Sequence, residues 1–373
     1  MAVSKNSRLN SASCCSCSED AVPYAAVIGG ANIDIAGIAS AALIPGDSNP
    51  GIVRFSPGGV ARNIAENLAR LGVPVRFITA FGDDPYAGLI KTGCLQAGID
   101  ISAAKICTDY TTSVYLSLHD PGGEMQLAVS DMRLYDMLTP EYLATQLALI
   151  NYAAVCIADT NIPQGSLAFL AEHCTVPLFI DPVSVTKAAK IRDLLPFIHT
   201  IKPNRLEAEF LTGISLSDES GSDGDESVDE SLYRIADVFL QQGIRQLFLS
   251  LGSRGIFCAD ASRRFVLPPE QLQPVNMTGA GDSLFAGLVW GFMYGLDLEH
   301  CARAGRAAAG ISIESPDTVS RAMSAELLCR RAGISLSEQT DKTTVSISAE
   351  YRQSMESTFV SENIPCRKSI RGE

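Results

Sequence analysis

"SPGGVARNIAENLARLGVPVRFITAFGD", Ser56 to Asp83, changes period halfway along. The first half is helical. Ile64, Leu68 and Leu71 recur at the spacing of one helix face, and Gly72 followed by Pro74 ends the run. The second half, Val75 to Asp83, is a short apolar run of the kind buried on both faces of a parallel sheet. Similar runs recur in "AAVIGGANID" (25–34), "YAAVCIADT" (152–160), "PLFIDPV" (177–183) and "IRQLFLSLG" (244–252), with amphipathic helices between several of them. Strand and helix in alternation predict an α/β fold built on a parallel sheet covered on both faces. Two segments break the alternation and read as β-ribbons: 33–59, and 111–131 with an Asp-Pro-Gly-Gly turn at 120–123. They predict a small β lid over one end of the sheet.

Composition sets outer bounds. The chain has 373 residues, 46% hydrophobic and 19% charged, enough for one large core with at most a small appendage. The net charge of −13 is partly local, because "SDESGSDGDESVDES" (217–231) holds seven acids and no base and reads as a disordered loop. No basic patch suggests nucleic acid as a partner. Eleven cysteines, an odd number at irregular spacing, predict reduced thiols in a cytoplasmic protein rather than a disulfide framework. No apolar run reaches the roughly 20 residues that span a bilayer, and no hydrophobic signal core opens the chain. Residues 1–23 read as a disordered Ser/Cys-rich tail, in which Cys14-x-x-Cys17 alone is a weak metal signal, and 335–373 as a polar extension. The sequon Asn276-Met277-Thr278 reads as chance.

The chemistry is concentrated in glycine-rich turns. In "NMTGAGDSLFAGLV" (276–289), Thr278 is a good N-cap. Gly279, Ala280 and Gly281 expose successive backbone N–H groups at the start of an apolar helix. Asp282, one turn in, is expected to stay ionised in the field of the helix dipole. A carboxylate beside an anion hole suits a site where the acid takes a proton from a hydroxyl while the hole holds the phosphoryl group under attack. The plainer reading is an Asp that only caps the helix. "SPGGVARN" (56–63), with Gly58, Gly59 and Asn63, reads equally as a ligand-binding turn or a bare strand-to-helix turn. Asn204 and Glu207 of "NRLE" suit a magnesium ion held through water. Ser250, Gly252 and Gly255 of "SLGSRG" suit a nucleotide phosphate, and Asn32 and Asp34 of "GGANID", read as ending the first strand, suit sugar hydroxyls. Each alone fits an ordinary loop; together, at strand ends, they fit a ligand site. The Walker A pattern, the protein-kinase signatures and a G-x-G-x-x-G after the first strand are all missing from the sequence.

These residues resemble the PfkB/ribokinase family of carbohydrate kinases. "GGVARNIAENLARLG" with Gly82 is similar to its first signature and "NMTGAGDSLFAGLV" to its second, Met277 standing where a small or β-branched residue is usual. The resemblance covers about 24–334 and implies a ribokinase-like, Rossmann-like three-layer sandwich with a β lid at about 35–57 and 110–132. The lid would close over the sugar and help form a homodimer. By resemblance, Asp282 is the base, Gly279, Ala280 and Gly281 form the anion hole, and Asn204 and Glu207 govern Mg²⁺. Asp34, Gly59 and Asn63 bind sugar hydroxyls, Gly252 and Gly255 line the phosphates of ATP, and 303–315 lies near the adenine. A monovalent cation such as K⁺ activates many members. Within the family the chain is most similar to the pseudouridine-phosphorylating branch, through "NPGIVRFSPGGVARNIAENLARLG", "SVYLSLHDPGGEMQLAVSDM", "DPVSVTKAAKI", "HTIKPNRLEAEFLTG" and "TVSRAMSAE". Ser48, Asn49, Thr112, Asp131 and Lys187 are then candidates for reading the base. A kinase for another ribonucleoside or sugar, a non-catalytic scaffold, and a regulated interaction protein working through the acidic loop are the competing readings.

Overall fold

The computed structural model describes residues 22–216 and 230–335. The chain enters the central sheet with β1 (Ala25–Ile28), leaves it for a lid hairpin of β2 (Asn32–Ala39) and β3 (Gly51–Gly58), and returns through α1 (Val60–Arg70) to β4 (Val75–Ile78). Short β5 (Ala80–Phe81), α2 (Pro85–Gln96) and β6 (Lys105–Ile106) lead to a second lid hairpin, β7 (Val114–His119) and β8 (Met125–Asp131). Alternation resumes with α3 (Pro140–Asn151), β9 (Val155–Asp159), α4 (Gln164–His173), β10 (Leu178–Asp181), the single turn α5 (Val185–Ala188), β11 (Thr200–Ile201) and α6 (Arg205–Thr212). Then come α7 (Glu230–Gln241), β12 (Gln246–Ser250), β13 (Ile256–Ala259) and β14 (Arg264–Leu267), followed by α8 (Ala280–Met293), α9 (Leu298–Ile313) and α10 (Ala325–Ala332).

The main sheet runs β14-β13-β12-β11-β10-β9-β1-β4, parallel except at β13 and β14, which are antiparallel. It is the ribokinase-like three-layer sandwich. Strand alternation sends Val27, Phe77, Ile157 and Phe179 to one face, against α1, α8 and α9. Ile28, Ile78, Ala158 and Ile180 go to the other, against α3, α4 and α7. Each fully buried large apolar side chain contributes about 1.5–3 kcal/mol relative to exposure. Among the described residues no helix is long and apolar enough to cross a membrane.

The lid is a separate four-stranded sheet, β3-β2-β7-β8. Its registry, with Phe55 opposite Ile35, Ile35 beside Leu116 and Leu116 opposite Val129, divides it into two unlike faces. Val53, Phe55, Leu116, Leu118, Leu127 and Val129 share the outer face and are exposed. Asp34, Ser56, Tyr115, Ser117 and His119 share the inner face. The hairpin turn at 120–123 is closed by the Asp120 carboxylate, which accepts from the N–H groups of Gly122 and Glu124.

Three expectations are corrected. The run 75–83 breaks at Thr79, whose hydroxyl donates to the Gly29 carbonyl (2.8 Å) while its own carbonyl accepts from Lys105 N–H, so β5 pairs with β6 outside the main sheet. Asn32 and Asp34 belong to the lid strand β2, since β1 stops at Ile28 and Gly29 and Gly30 turn the chain outward. Glu230 and Ser231 open α7 and are not loop. The remainder of the acidic stretch (217–229), Cys14 and Cys17, and residues from 336 onward lie outside the described residues.

Candidate active site

A cleft of about 1040 Å³ opens between the inner face of the lid and the carboxyl ends of the central strands. Beneath it the strand ends carry a buried row of charges that does not itself line the cleft: Asp159 ends β9, Asp181 ends β10, and Lys202 follows β11. The start of α8 stands over this row, with Thr278, Gly279 and Asp282 in the cleft wall.

Gly279, not Thr278, caps α8. It lies at φ +81°, and a Cβ there would come within 2.3 Å of the Thr318 carbonyl oxygen, so both conformation and space call for glycine. No side chain caps this end. The Ala280 N–H turns back to the Met277 carbonyl (3.3 Å), and among the described residues the N–H groups of Gly281 and Asp282 meet no backbone acceptor. Of the three amides expected in an anion hole, that of Ala280 is turned to Met277, while the Gly279 N–H, like those of Gly281 and Asp282, meets no backbone acceptor among the described residues.

Asp282 Oδ2 accepts a 2.7 Å hydrogen bond from Asn63 Nδ2 on the first turn of α1. Gly59 precedes that turn at φ +100°, where a Cβ would lie 2.4 Å from the Gly30 carbonyl, so α1 starts tight against the lid root. Burial pushes the Asp282 carboxyl up to about 7, and the charges of Asp181 and Asp159 add to this, against the pull of Asn63 and Lys202. The dipole of α8 does not hold it fully ionised; desolvation is the stronger effect. Lys202 Nζ lies 3.1 Å from Asp181 Oδ2, and both side chains are buried. Burial pulls the Lys202 ammonium down, but Asp181, Asp282 and Glu207 outweigh it and the net shift is upward.

The substrate-side residues divide. Asn32, Asp34, Gly59, Asn63 and Lys187 line the cleft. Asn32 Nδ2 donates to Asp34 Oδ1 (2.6 Å), and burial raises the Asp34 carboxyl. Lys187 Nζ donates to Asn161 Oδ1 (2.5 Å), and burial lowers its ammonium. Gly58 lies behind Asp34, where a Cβ would collide with the carboxylate at 2.2 Å. Asp131 does not reach the cleft: it shares the outer lid face with Leu127 and Val129 and pairs with Arg133 at 2.7 Å. Asn49 is tied to the Ile44 backbone in the exposed β2–β3 loop, beside Ser48. Buried Thr112 is fixed between Gly82 and Asp84.

The residues expected on the nucleotide side lie at the ends of β11 and β12 and outside the cleft walls. Asn204 and Glu207 form a capping box on α6: Asn204 N and Nδ2 donate to the two Glu207 oxygens (2.8 Å each), and Glu207 N donates back to Asn204 Oδ1 (2.9 Å). Ser250 bridges Asn204, and its N–H bonds the Pro203 carbonyl. Gly252 stands in open space at φ +61°, whereas Gly255 is explained by packing on the Leu267 carbonyl, 2.1 Å from where its Cβ would be.

Arg62, Asp159, Asp181 and Lys202 escaped the sequence reading. Each sits inside or beside an apolar run, and only tertiary pairing gives it meaning. Asp159 is structural: it accepts the N–H groups of Gly30 and Ala61 (3.0 Å each) and joins β9 to the lid root and α1. The one available signal was an acid or a lysine at the end of a strand followed by proline, in Asp181-Pro182 and Lys202-Pro203. Val183, also in the cleft, has φ +62°, an uncommon conformation for a β-branched residue.

Residues 22–325 match the pfkB family of carbohydrate kinases. The chain is 40% identical over 292 residues to a pseudouridine kinase of Escherichia coli, covering 78% of this chain and 90% of that protein. It is 28% identical over 348 residues to a pseudouridine kinase of Arabidopsis thaliana, covering 79% and 91%. The ribokinase of Arabidopsis thaliana, solved with ribose and ATP, shares its fold at a TM-score of 0.72 and 20% identity, over 84% of this chain and 100% of that one. The chain is thus a phosphotransferase with an alcohol group as acceptor, and it belongs to the pfkB family of carbohydrate kinases.

Proposed function

We propose that the protein transfers the γ-phosphoryl group of ATP to the 5′-hydroxyl of pseudouridine, giving ADP and pseudouridine 5′-phosphate. The observation that carries the phosphoryl-transfer step is the Asn63–Asp282 pair at the uncapped start of α8. A carboxylate titrating near 7 is matched to general-base work at neutral pH. Asp282 takes the proton of the 5′-hydroxyl as that oxygen attacks phosphorus in line; the bond from phosphorus to the ADP oxygen breaks, and ADP leaves with the electron pair. The N–H groups of Gly281 and Asp282 and the Lys202 ammonium face the charge on the transferring group. The lid excludes water from the cleft.

Pseudouridine as acceptor rests on the two pseudouridine kinases to which the chain is similar, and the lid supplies a chemical reason. The Gly123 carbonyl can only accept, so His119 Nδ1 (3.1 Å away) carries the proton in the neutral ring and Nε2 accepts from the Ser117 hydroxyl at 2.9 Å. With its proton committed, Ser117 Oγ offers only lone pairs to the cleft. Pseudouridine has a free N1–H to fill them; uridine does not, and an acceptor left unpaired costs about 1–3 kcal/mol.

Magnesium fits only indirectly. Both Glu207 oxygens already accept from Asn204, and each keeps one further lone pair, so the pair suits an ion held through water. When bound there, the ion supplies positive charge against the ATP phosphates. K⁺ rests on the resemblance alone. A second copy of the chain is the natural cover for the exposed apolar outer face of the lid.

The test is ADP release with pseudouridine, uridine, adenosine, ribose and fructose 6-phosphate as acceptors. Pseudouridine is expected to give the highest kcat/KM, by tenfold or more over uridine on the unpaired-acceptor argument. A preference for ribose or adenosine assigns the site to another acceptor.

A further inference from the structure

Four side chains form a line on α1 that ends at the candidate base. Arg70 Nη2 donates to Glu66 Oε1 (2.7 Å), and Glu66 Oε2 takes Arg62 Nη2. Arg62 Nη1 donates to the Pro57 carbonyl and to Asn63 Oδ1, at 3.0 Å each. Asn63 Nδ2 then donates to Asp282 Oδ2. Arg62 and Glu66 are 6% and 7% exposed, so this ion pair is not a surface ornament that solvent screens away.

The direction of the line is set by chemistry. A guanidinium has donors and no acceptor, so the Asn63 atom facing Arg62 must be the oxygen, and the amide NH₂ must face Asp282. Ionised Asp282 accepts that NH₂. Protonated Asp282 can still accept that NH₂ through its carbonyl oxygen, but a bond to a neutral acceptor is weaker than the charge-assisted bond to the carboxylate, and a flip of the amide that would offer an acceptor instead turns the NH₂ onto the donors of Arg62. Holding Asn63 in one orientation therefore penalises the protonated form.

We infer that Arg62 is a positioning residue for phosphoryl transfer: by fixing the Asn63 amide it keeps Asp282 in the proton-accepting state. The inference rests on Asp282 acting as the base. The groups facing Asp282 are Asn63 from α1, Asp159 at the end of β9, Asp181 at the end of β10, and Lys202 after β11. Asp317, paired with Arg321 at 3.3 Å, stands across the cleft in the loop after α9. The two buried acids and desolvation favour the proton on Asp282, while Lys202 and the hydrogen bond from Asn63 oppose it.

The experiment is the pH dependence of kcat/KM for the acceptor, between about pH 5.5 and 9, which reports the free enzyme. The wild-type protein should gain activity through pH about 7 as Asp282 ionises. In Arg62→Met this rise should move up by about one pH unit, so that the loss is roughly tenfold at low pH and shrinks as pH increases. Arg62→Lys, which keeps a cationic donor, should restore most of the shift. Arg62→Met/Glu66→Gln removes the stranded carboxylate and should behave as Arg62→Met does, which covers the case in which the single variant folds poorly. An unmoved rise, with kcat/KM lowered equally at every pH, overturns the inference and leaves Arg62 a packing residue. Near-normal turnover in Asp282→Asn overturns the base assignment and this inference together.

Discussion

The floor of the cleft, taken with the buried row beneath it, and the lid above are built on opposite principles. The floor is a set of charges held inside the protein by one another: Asp181 with Lys202, Asp282 with Asn63, Arg62 with Glu66. The lid is a single sheet with solvent on one side, a polar face turned inward and an apolar face turned out. Buried charge networks fix geometry because any displacement leaves an uncompensated charge. A one-layer sheet fixes little by itself and depends on what covers it. The contrast assigns the chemistry to the floor and the choice of acceptor to the lid.

That division can be broken most directly at Asp282. Asp282→Asn should keep the KM for ATP within a few-fold and lower kcat by about two to four orders of magnitude, as loss of a general base does; steady-state kinetics with pseudouridine measure it. If the KM for ATP collapses as well, floor and nucleotide site are not separable. Ser117→Ala tests the lid. It should lower kcat/KM for pseudouridine by roughly tenfold while changing uridine little, so discrimination shrinks and catalysis survives. An equal loss on both nucleosides would make Ser117 a packing residue of the sheet. The smallest effect on chemistry is expected from Phe55→Asp/Leu127→Asp on the outer face. This variant should shift the species seen by light scattering from dimer to monomer and leave the floor intact. A wild-type protein that is already monomeric removes the second copy as the cover of that face.

The floor and the lid were unequally legible in the sequence. The α1 pattern, the Gly279-to-Asp282 turn and Asn63 could be read because each carries its own local signal: a period of 3.6, or glycine where backbone must lie bare. Lys202 and Arg62 could not. Lys202 is defined by a partner distant along the chain, Asp181, and Arg62, although it pairs with Glu66 one turn on, reaches Asp282 only through Asn63. Asp131 was misassigned for a different reason. In "MQLAVSD" it shares parity with Leu127 and Val129, so the period of two already turned it away from the cleft. Asn32 and Asp34 line the cleft, but the sequence attaches them to the wrong strand, because Gly29 and Gly30 end β1 without interrupting the apolar pattern.

The junction at Gly29 and Gly30 also sets a mechanical ratio. Only Gly29, Gly30 and Ala31 separate β1, in the core, from β2, in the lid, and the return strand β3 re-enters at Gly58 and Gly59. Asp159 fastens this joint by gripping the amides on both sides of it, at Gly30 and Ala61. The eight residues of β2 make a lever about 26 Å long. A rotation of about 10° at the joint would thus carry the far end of the lid about 4.5 Å, whereas Asp34, two residues beyond Asn32 at the foot of the lever, would move by about a quarter of that. Such a rotation would sweep the tip of the lid while leaving its foot, at Asn32 and Asp34, nearly in place.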